Sequence, residues 1–75
     1  MADDSNHLEA ARWLRHRAAE ERTAAAEAKR PGLQRGHERE AQELERELDR
    51  TVRRMSPAAR REFEREQGVE LNRGR

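Results

Sequence analysis

Apolar residues recur between residues 37 and 55 at the spacing expected for one face of a helix. The stripe consists of Ala41, Leu44, Leu48, Val52 and Met55, which are separated by three, four, four and three positions. Such spacing aligns side chains along one side of an α-helix. Arg, Glu and Asp fill most positions between them. We therefore predict an amphipathic helix over about residues 37–55, with Leu44, Leu48, Val52 and Met55 in a packing or dimer interface.

A thinner stripe runs through the preceding segment. It consists of Ala11, Leu14, Ala18, Glu21, Ala25 and Ala28, whose spacings of three and four follow a heptad pattern. Glu21 interrupts the apolar series, and Leu14 is its largest apolar member. Alanine is the best helix former, and its small side chain lets a neighbouring backbone approach closely. The pattern predicts a helix over about residues 5–30 that packs through this stripe.

Proline and glycine divide the chain into helices. Pro31, Gly32 and Gly36 predict a connector over residues 31–36, since the residue before a proline disfavours helix. Ser56 followed by Pro57 predicts the start of a short third helix over about residues 57–67, because serine caps and proline suits the first helical position. Gly68 is then a C-terminal stop. A flexible tail over residues 68–75 is expected.

These elements predict an all-α fold in a single small domain over residues 1–75. Reversal at the connector gives an antiparallel helical hairpin, and the third helix folds back so that Phe63 meets Trp13 or Leu14. The facing pairs expected are Ala25 with Ala41 and Leu44, Ala18 with Leu48, Leu14 with Val52, and Ala11 with Met55. Two helices leave one side of each stripe open. We therefore expect either a dimeric four-helix bundle or docking on a larger partner.

Composition agrees with long helices and excludes several classes of protein. Ala, Glu, Lys, Leu and Arg account for 48 of the 75 residues. Cysteine is absent, so disulfides and thiolate metal sites are excluded. No apolar run approaches the ~20 residues of a membrane span, and the N-terminus carries acids where a signal peptide needs positive charge. We expect a cytoplasmic protein without membrane contact.

Residues that carry chemistry do not form a recognisable active site. His16 and Glu20 have i, i+4 spacing, but two ligands do not make a zinc site. Ser5 and Ser56 are better explained as helix caps, and catalytic carboxylates need more burial than so few apolar residues provide. We predict no catalytic, cofactor-binding or metal-binding residues, no small-molecule substrate, and a protein that is not an enzyme.

Arginine clusters near Trp13 and near the Ser56-Pro57 corner predict the partner surface. The residues predicted to bind the partner are Trp13, Arg12, Arg15, Arg53 and Arg54. Arginine forms forked contacts with carboxylates and phosphates, and tryptophan often dominates the binding energy of an interface. The leading hypothesis is a protein–protein interaction module that homodimerises or docks on a larger protein. A regulator, adaptor or inhibitor, including one carried by a phage or plasmid, fits this size and character.

The alternative is nucleic-acid binding through Arg60, Arg61, Arg73 and Arg75. The run FEREQGVELNRGR, from Phe63 to Arg75, resembles part of the DNA-binding domain of actinobacterial xenogeneic silencers. There a helix, a glycine turn and an Arg-Gly-Arg segment meet the minor groove, and a further helix follows that this sequence lacks. The resemblance implies groove insertion by Arg73 and Arg75. A net charge of +1 favours the protein-interaction hypothesis. A chain that is disordered until it binds is a third alternative.

Overall fold

Three consecutive α-helices make up the structure, a computed structural model that describes the backbone of residues 4–73 and the side chains of residues 6–68. Helix α1 spans Asp4–Glu27, α2 spans Pro31–Arg54 and α3 spans Pro57–Arg73. Helices α1 and α2 pack along their length, and α3 packs against α1. The predicted all-α fold, a helical hairpin followed by a third helix, is confirmed.

The segment predicted as the connector belongs to α2, so that prediction was wrong. Pro31 occupies the first helical position, where its missing N–H has no helical partner to lose. Arg30 precedes it in an extended conformation, with φ of −106° and ψ of 131°. Gly32 and Gly36 have no positive φ and continue the helix. The connector is therefore only residues 28–30.

Helix α1 ends at Glu27, earlier than the predicted residue 30. Lys29 and Arg30 consequently lie in the connector and not in the last turn of the helix. Pro31 explains this end, because the residue before a proline is pushed out of the helical region and the chain must reverse within three residues.

The early reversal also changes the register of the hairpin. The turn is centred on residue 29, whereas the prediction centred it between residues 33 and 34. Leu14 therefore lines a groove with Leu44, although Val52 was the expected neighbour. Likewise, Glu21 faces His37 across the two helices.

Helix α3 begins where the sequence predicted and ends later. The Ser56 hydroxyl accepts a hydrogen bond from the Ala59 N–H at 3.2 Å, which confirms the predicted N-cap. Gly68 continues the helix instead of stopping it, and residues 68–73, predicted as a tail, are helical. A single glycine inside a helix costs only ~1 kcal/mol, which neighbouring helix formers offset.

The core lies where α1 meets the end of α2 and the beginning of α3. It contains Ala11, Met55, Ala59 and Phe63, with Leu8, Leu48 and Val52 partly buried against it. Phe63 was expected beside Trp13 or Leu14, but it lies in this cluster and Trp13 remains 59% exposed. The core is small because four of the eight buried apolar residues are alanines of the α1 and α2 stripes.

The molecule is a thin slab that measures 45 × 33 × 14 Å. An α-helix with its side chains is about 10–12 Å across, so the shortest dimension is close to the diameter of one helix. Its accessible surface of 6040 Å² exceeds by roughly a quarter the ~4,800 Å² expected of a compact monomer of this mass. At one end of the slab, α3 packs Ala59 and Phe63 against α1 and the end of α2.

Candidate interaction surface

A groove between α1 and α2 holds the most exposed aromatic residue of the chain. Trp13 and Leu14 of α1 line it with Glu40, Glu43, Leu44 and Glu47 of α2, and it encloses about 300 Å³. We call it the Trp13 groove. Trp13 and Leu14 are sequence neighbours, so a helix turns them about 100° apart. Leu14 is consequently buried against α2 while Trp13 stays at the surface.

The α2 side of the Trp13 groove is acidic. Glu40, Glu43 and Glu47 are exposed and lie at spacings of three and four, which places them along one flank of the helix. Arg50 donates from Nη2 to Glu47 Oε2 at 2.9 Å, one turn beyond the groove. The lining of the groove includes three carboxylates and no cation. The lining therefore carries only negative charges, although Arg50 pairs with one of its carboxylates, Glu47, from outside the groove.

The residues predicted for the packing interface differ in burial. Leu14 and Met55 are buried. Leu48 and Val52 are half-buried against the core, and Leu44 is half-buried in the Trp13 groove. Thr51, which the sequence analysis did not single out, is buried too, and its hydroxyl donates to the Glu47 carbonyl oxygen at 2.9 Å. The apolar stripe of α2 is therefore only partly covered by α1.

Arg12, predicted to meet a partner, joins two helices of the chain. Its Nε donates to Glu66 Oε1 at 3.1 Å, which ties α1 to α3. This hydrogen bond lowers the pKa of the Glu66 carboxyl, and the charge of Arg15 lowers it further. Arg12 and Arg15 line a second, larger groove of about 620 Å³ with His16, Ala19, Glu66 and Gln67. The two arginines are therefore brought together, but against a carboxylate of the same chain.

The arginines predicted at the Ser56-Pro57 corner are exposed and do not line the Trp13 groove. Arg53 and Arg54 lie in the last turn of α2, where positive charge suits the helix dipole. Arg53 also pairs with Asp49 at 2.9 Å. Both arginines therefore stabilise the C-terminal end of α2. Neither lines the groove that contains Trp13.

Arg60, an alternative nucleic-acid residue, closes the end of α2. It donates from Nε to the Val52 carbonyl oxygen at 3.4 Å and from Nη2 to the Arg53 carbonyl oxygen at 3.3 Å. The last carbonyl groups of a helix have no hydrogen-bond donor within the helix. Here the Arg60 side chain of α3 donates to two of them. Arg61 donates to the Pro57 carbonyl oxygen at 3.3 Å and is exposed. The side chain of Arg73 and all of Arg75 lie outside the described residues.

Two further contacts cross the hairpin, and neither was predicted from the sequence. Arg22 donates from Nη2 to Glu45 Oε1 at 2.7 Å, and His37 Nδ1 lies 2.6 Å from Glu21 Oε2. The hydrogen bond from His37 lowers the pKa of Glu21, and the hydrogen bond from Arg22 lowers the pKa of Glu45. Charged residues at opposite stripe edges were visible in the sequence. Their pairing required the correct register, which the displaced connector obscured.

Other kinds of site find no support in the part of the chain that the structure describes. No three His, Asp or Glu side chains there are placed to share a metal ion. None of the described helices combines the length and the apolar character needed to cross a bilayer. No protein-family model, curated protein or solved structure matches this chain. The surface must therefore be understood from its own geometry.

Proposed function

We propose that this chain is a non-enzymatic helical interaction module, a regulator, adaptor or inhibitor that acts by homodimerising or by docking on a larger protein. The observation that carries the proposal is a slab only 14 Å thick on which Trp13 is 59% exposed. Stable domains usually bury the apolar stripe of a helix against a second layer. A partner would supply that layer here.

The accessible area in excess of that of a compact chain is large enough for a protein–protein interface. The accessible area lies roughly 1,200 Å² above that of a compact chain of this mass. A standard protein–protein interface removes about 800 Å² from each partner. Tryptophan is the residue most enriched among interface hot spots, and Leu44 beside it is only half-buried. Association would therefore cover exposed apolar area without unfolding the slab.

Three carboxylates that join helices favour binding over general-acid catalysis. Glu21, Glu45 and Glu66 each accept a hydrogen bond from a cation or imidazole, and each has a pKa below its usual range. A general acid needs the opposite shift, towards the operating pH. These three carboxylates therefore remain ionised at neutral pH and are poorly suited to donating protons.

Sedimentation and affinity capture test the proposal. The native chain is centrifuged over a wide concentration range, and it is then used to capture proteins from its own cells beside Trp13→Ala. We expect either a reversible dimer or a stoichiometric partner whose capture is reduced by the substitution. A strict monomer that recovers the same background as Trp13→Ala would contradict the proposal.

Nucleic-acid binding is the second candidate, and the exposure of Arg53, Arg54 and Arg61 around the α2–α3 corner favours it. Against it, Arg12, Arg22 and Arg50 are paired with carboxylates of the chain. Fluorescence polarisation with duplex DNA and RNA at two salt concentrations decides the matter. Tight binding that weakens steeply with salt would replace the interaction module as the function.

A further inference from the structure

We infer that the Trp13 groove binds a basic amphipathic helix of a partner protein, one that carries an apolar anchor flanked by Lys or Arg. The inference rests on the proposed function and specifies the chemistry of the partner. Its basis is the combination of an apolar floor and an acidic edge within one groove.

The floor of the groove suits an apolar anchor. Trp13, Leu14 and Leu44 converge there, and only Leu14 is already buried. A Leu or Phe side chain inserted beside Trp13 would remove the remaining apolar area from water without displacing a residue of the core. Amphipathic helices dock into apolar grooves through anchors of this kind.

The edge of the groove selects positive charge. Glu40 and Glu47, with Glu43 between them, are separated by seven positions of α2, which corresponds to about 10 Å along the helix axis. Basic side chains at positions i, i+3 or i+4 and i+7 of a partner helix repeat at the same interval. The face of the Trp13 ring also attracts a cation. A helix with an apolar stripe and a basic flank therefore matches both parts of the groove.

A second copy of the chain is a poorer occupant. In a two-fold dimer the same patch meets itself, so the groove of one copy would face the groove of the other. That arrangement would bring six carboxylates together without a cation from either lining. If the chain homodimerises, it would thus do so through a different surface.

The only tryptophan of the chain lies in this groove, and tyrosine is absent, so intrinsic fluorescence reports the groove directly. The full-length chain is titrated with a synthetic Leu/Lys amphipathic helix of about 18 residues, or five turns. We expect a saturable blue shift of Trp13 emission that weakens as salt is added. A peptide in which every Lys is replaced by Glu should leave the emission unchanged. Equal shifts with both peptides, or none with either, would overturn the inference.

Charge-matched variants locate the binding site. Glu43→Gln with Glu47→Gln should weaken binding of the basic peptide about tenfold, which is 1.4 kcal/mol. Glu27→Gln with Glu64→Gln removes the same charge from exposed positions that do not line the groove and should change affinity less than twofold. Equal weakening by both pairs would mean general electrostatic attraction and would contradict the inference. Circular dichroism checks that both double variants keep the helical content of the native chain.

Replacing Trp13, which would contact the apolar anchor of the peptide, tests the inference independently. With a labelled peptide followed by polarisation, Trp13→Ala should bind roughly 30-fold more weakly. A Trp13 emission shift caused by raising the concentration of the chain alone would make the groove a self-interface and overturn the inference. A partner captured equally well by the native chain and by Glu43→Gln with Glu47→Gln would contradict the inference while leaving the proposed function intact.

Discussion

Single residues in this chain show how local propensity and helical packing compete. Gly36 lies inside α2, and a Cβ built there would meet no atom within 4 Å. Its backbone is helical, so alanine fits without strain. Glycine at this position gives the unfolded chain freedom that the helix must then remove.

Gly36→Ala should therefore raise the free energy of unfolding by about 0.5–1 kcal/mol. For a chain of this length that corresponds to several degrees in Tm, which is measurable by circular dichroism. Ala19→Gly, at an exposed position inside α1, is the matched opposite change and should lower Tm by a similar amount. A lower Tm for Gly36→Ala would contradict the helical assignment of residues 31–36.

A single residue, Ser56, also stabilises the start of α3. Ser56 holds the Ala59 N–H, one of the first N–H groups of the helix that lacks a helical partner. Ser56→Ala should destabilise the chain by about 1 kcal/mol. Ser56→Asp keeps an acceptor at the cap and should retain most of the stability. Thermal melts of the three proteins test this, and equal losses for Ala and Asp would show that packing and not capping matters at this position.

At the scale of elements, the sequence predicted the types of helix better than their limits. The period of the α2 stripe and the Ser56-Pro57 pair were sufficient for a hairpin and a third helix. Proline also occupies the first position of α2, at Pro31, as it does in α3. The prediction nevertheless placed a connector there, because Gly32 and Gly36 are typical of connectors. A pattern of residues cannot decide whether a proline ends one helix or begins the next.

The error in the connector carried through to the candidate site. Trp13 and Leu14 were predicted as surface and packing residues, but Glu40, Glu43 and Glu47 were not associated with them. Their convergence depends on the register, which follows from a turn of three residues instead of six. The contacts of Arg12 and Arg60 within the chain could not be predicted from the sequence either. Arg12 contacts Glu66 of α3, which is distant in the sequence, and Arg60 contacts the end of α2 across the α2–α3 corner.

The ionic contacts between helices predict acid sensitivity. Glu21, Glu45 and Glu66 have folded-state pKa values below the ordinary carboxyl value near 4.5. A lowered folded-state pKa means that the contribution to stability is full above the unfolded-state value and is lost as the pH falls through 4.5 and past the folded-state pKa. We expect Tm to be flat from pH 7 to about pH 5.5 and to fall below about pH 4.5.

The double variant Glu45→Gln with Glu66→Gln checks the origin of that fall. It should start with a slightly lower Tm at neutral pH, because both contacts are exposed at the surface. Its Tm should then depend less on pH than that of the native chain between pH 5 and pH 3. Parallel pH profiles for the two proteins would assign the acid sensitivity to other carboxylates.

At the scale of the whole molecule, thinness affects how tightly amino-acid identity is constrained. A slab only 14 Å thick has few interior positions, and substitutions at solvated positions usually change stability by no more than about 0.5 kcal/mol. Folding therefore tolerates amino-acid substitutions at most positions of this chain, and related sequences can differ at them. An outward-facing position that nevertheless tolerates no replacement in a saturation-mutagenesis screen would be held fixed by what touches it.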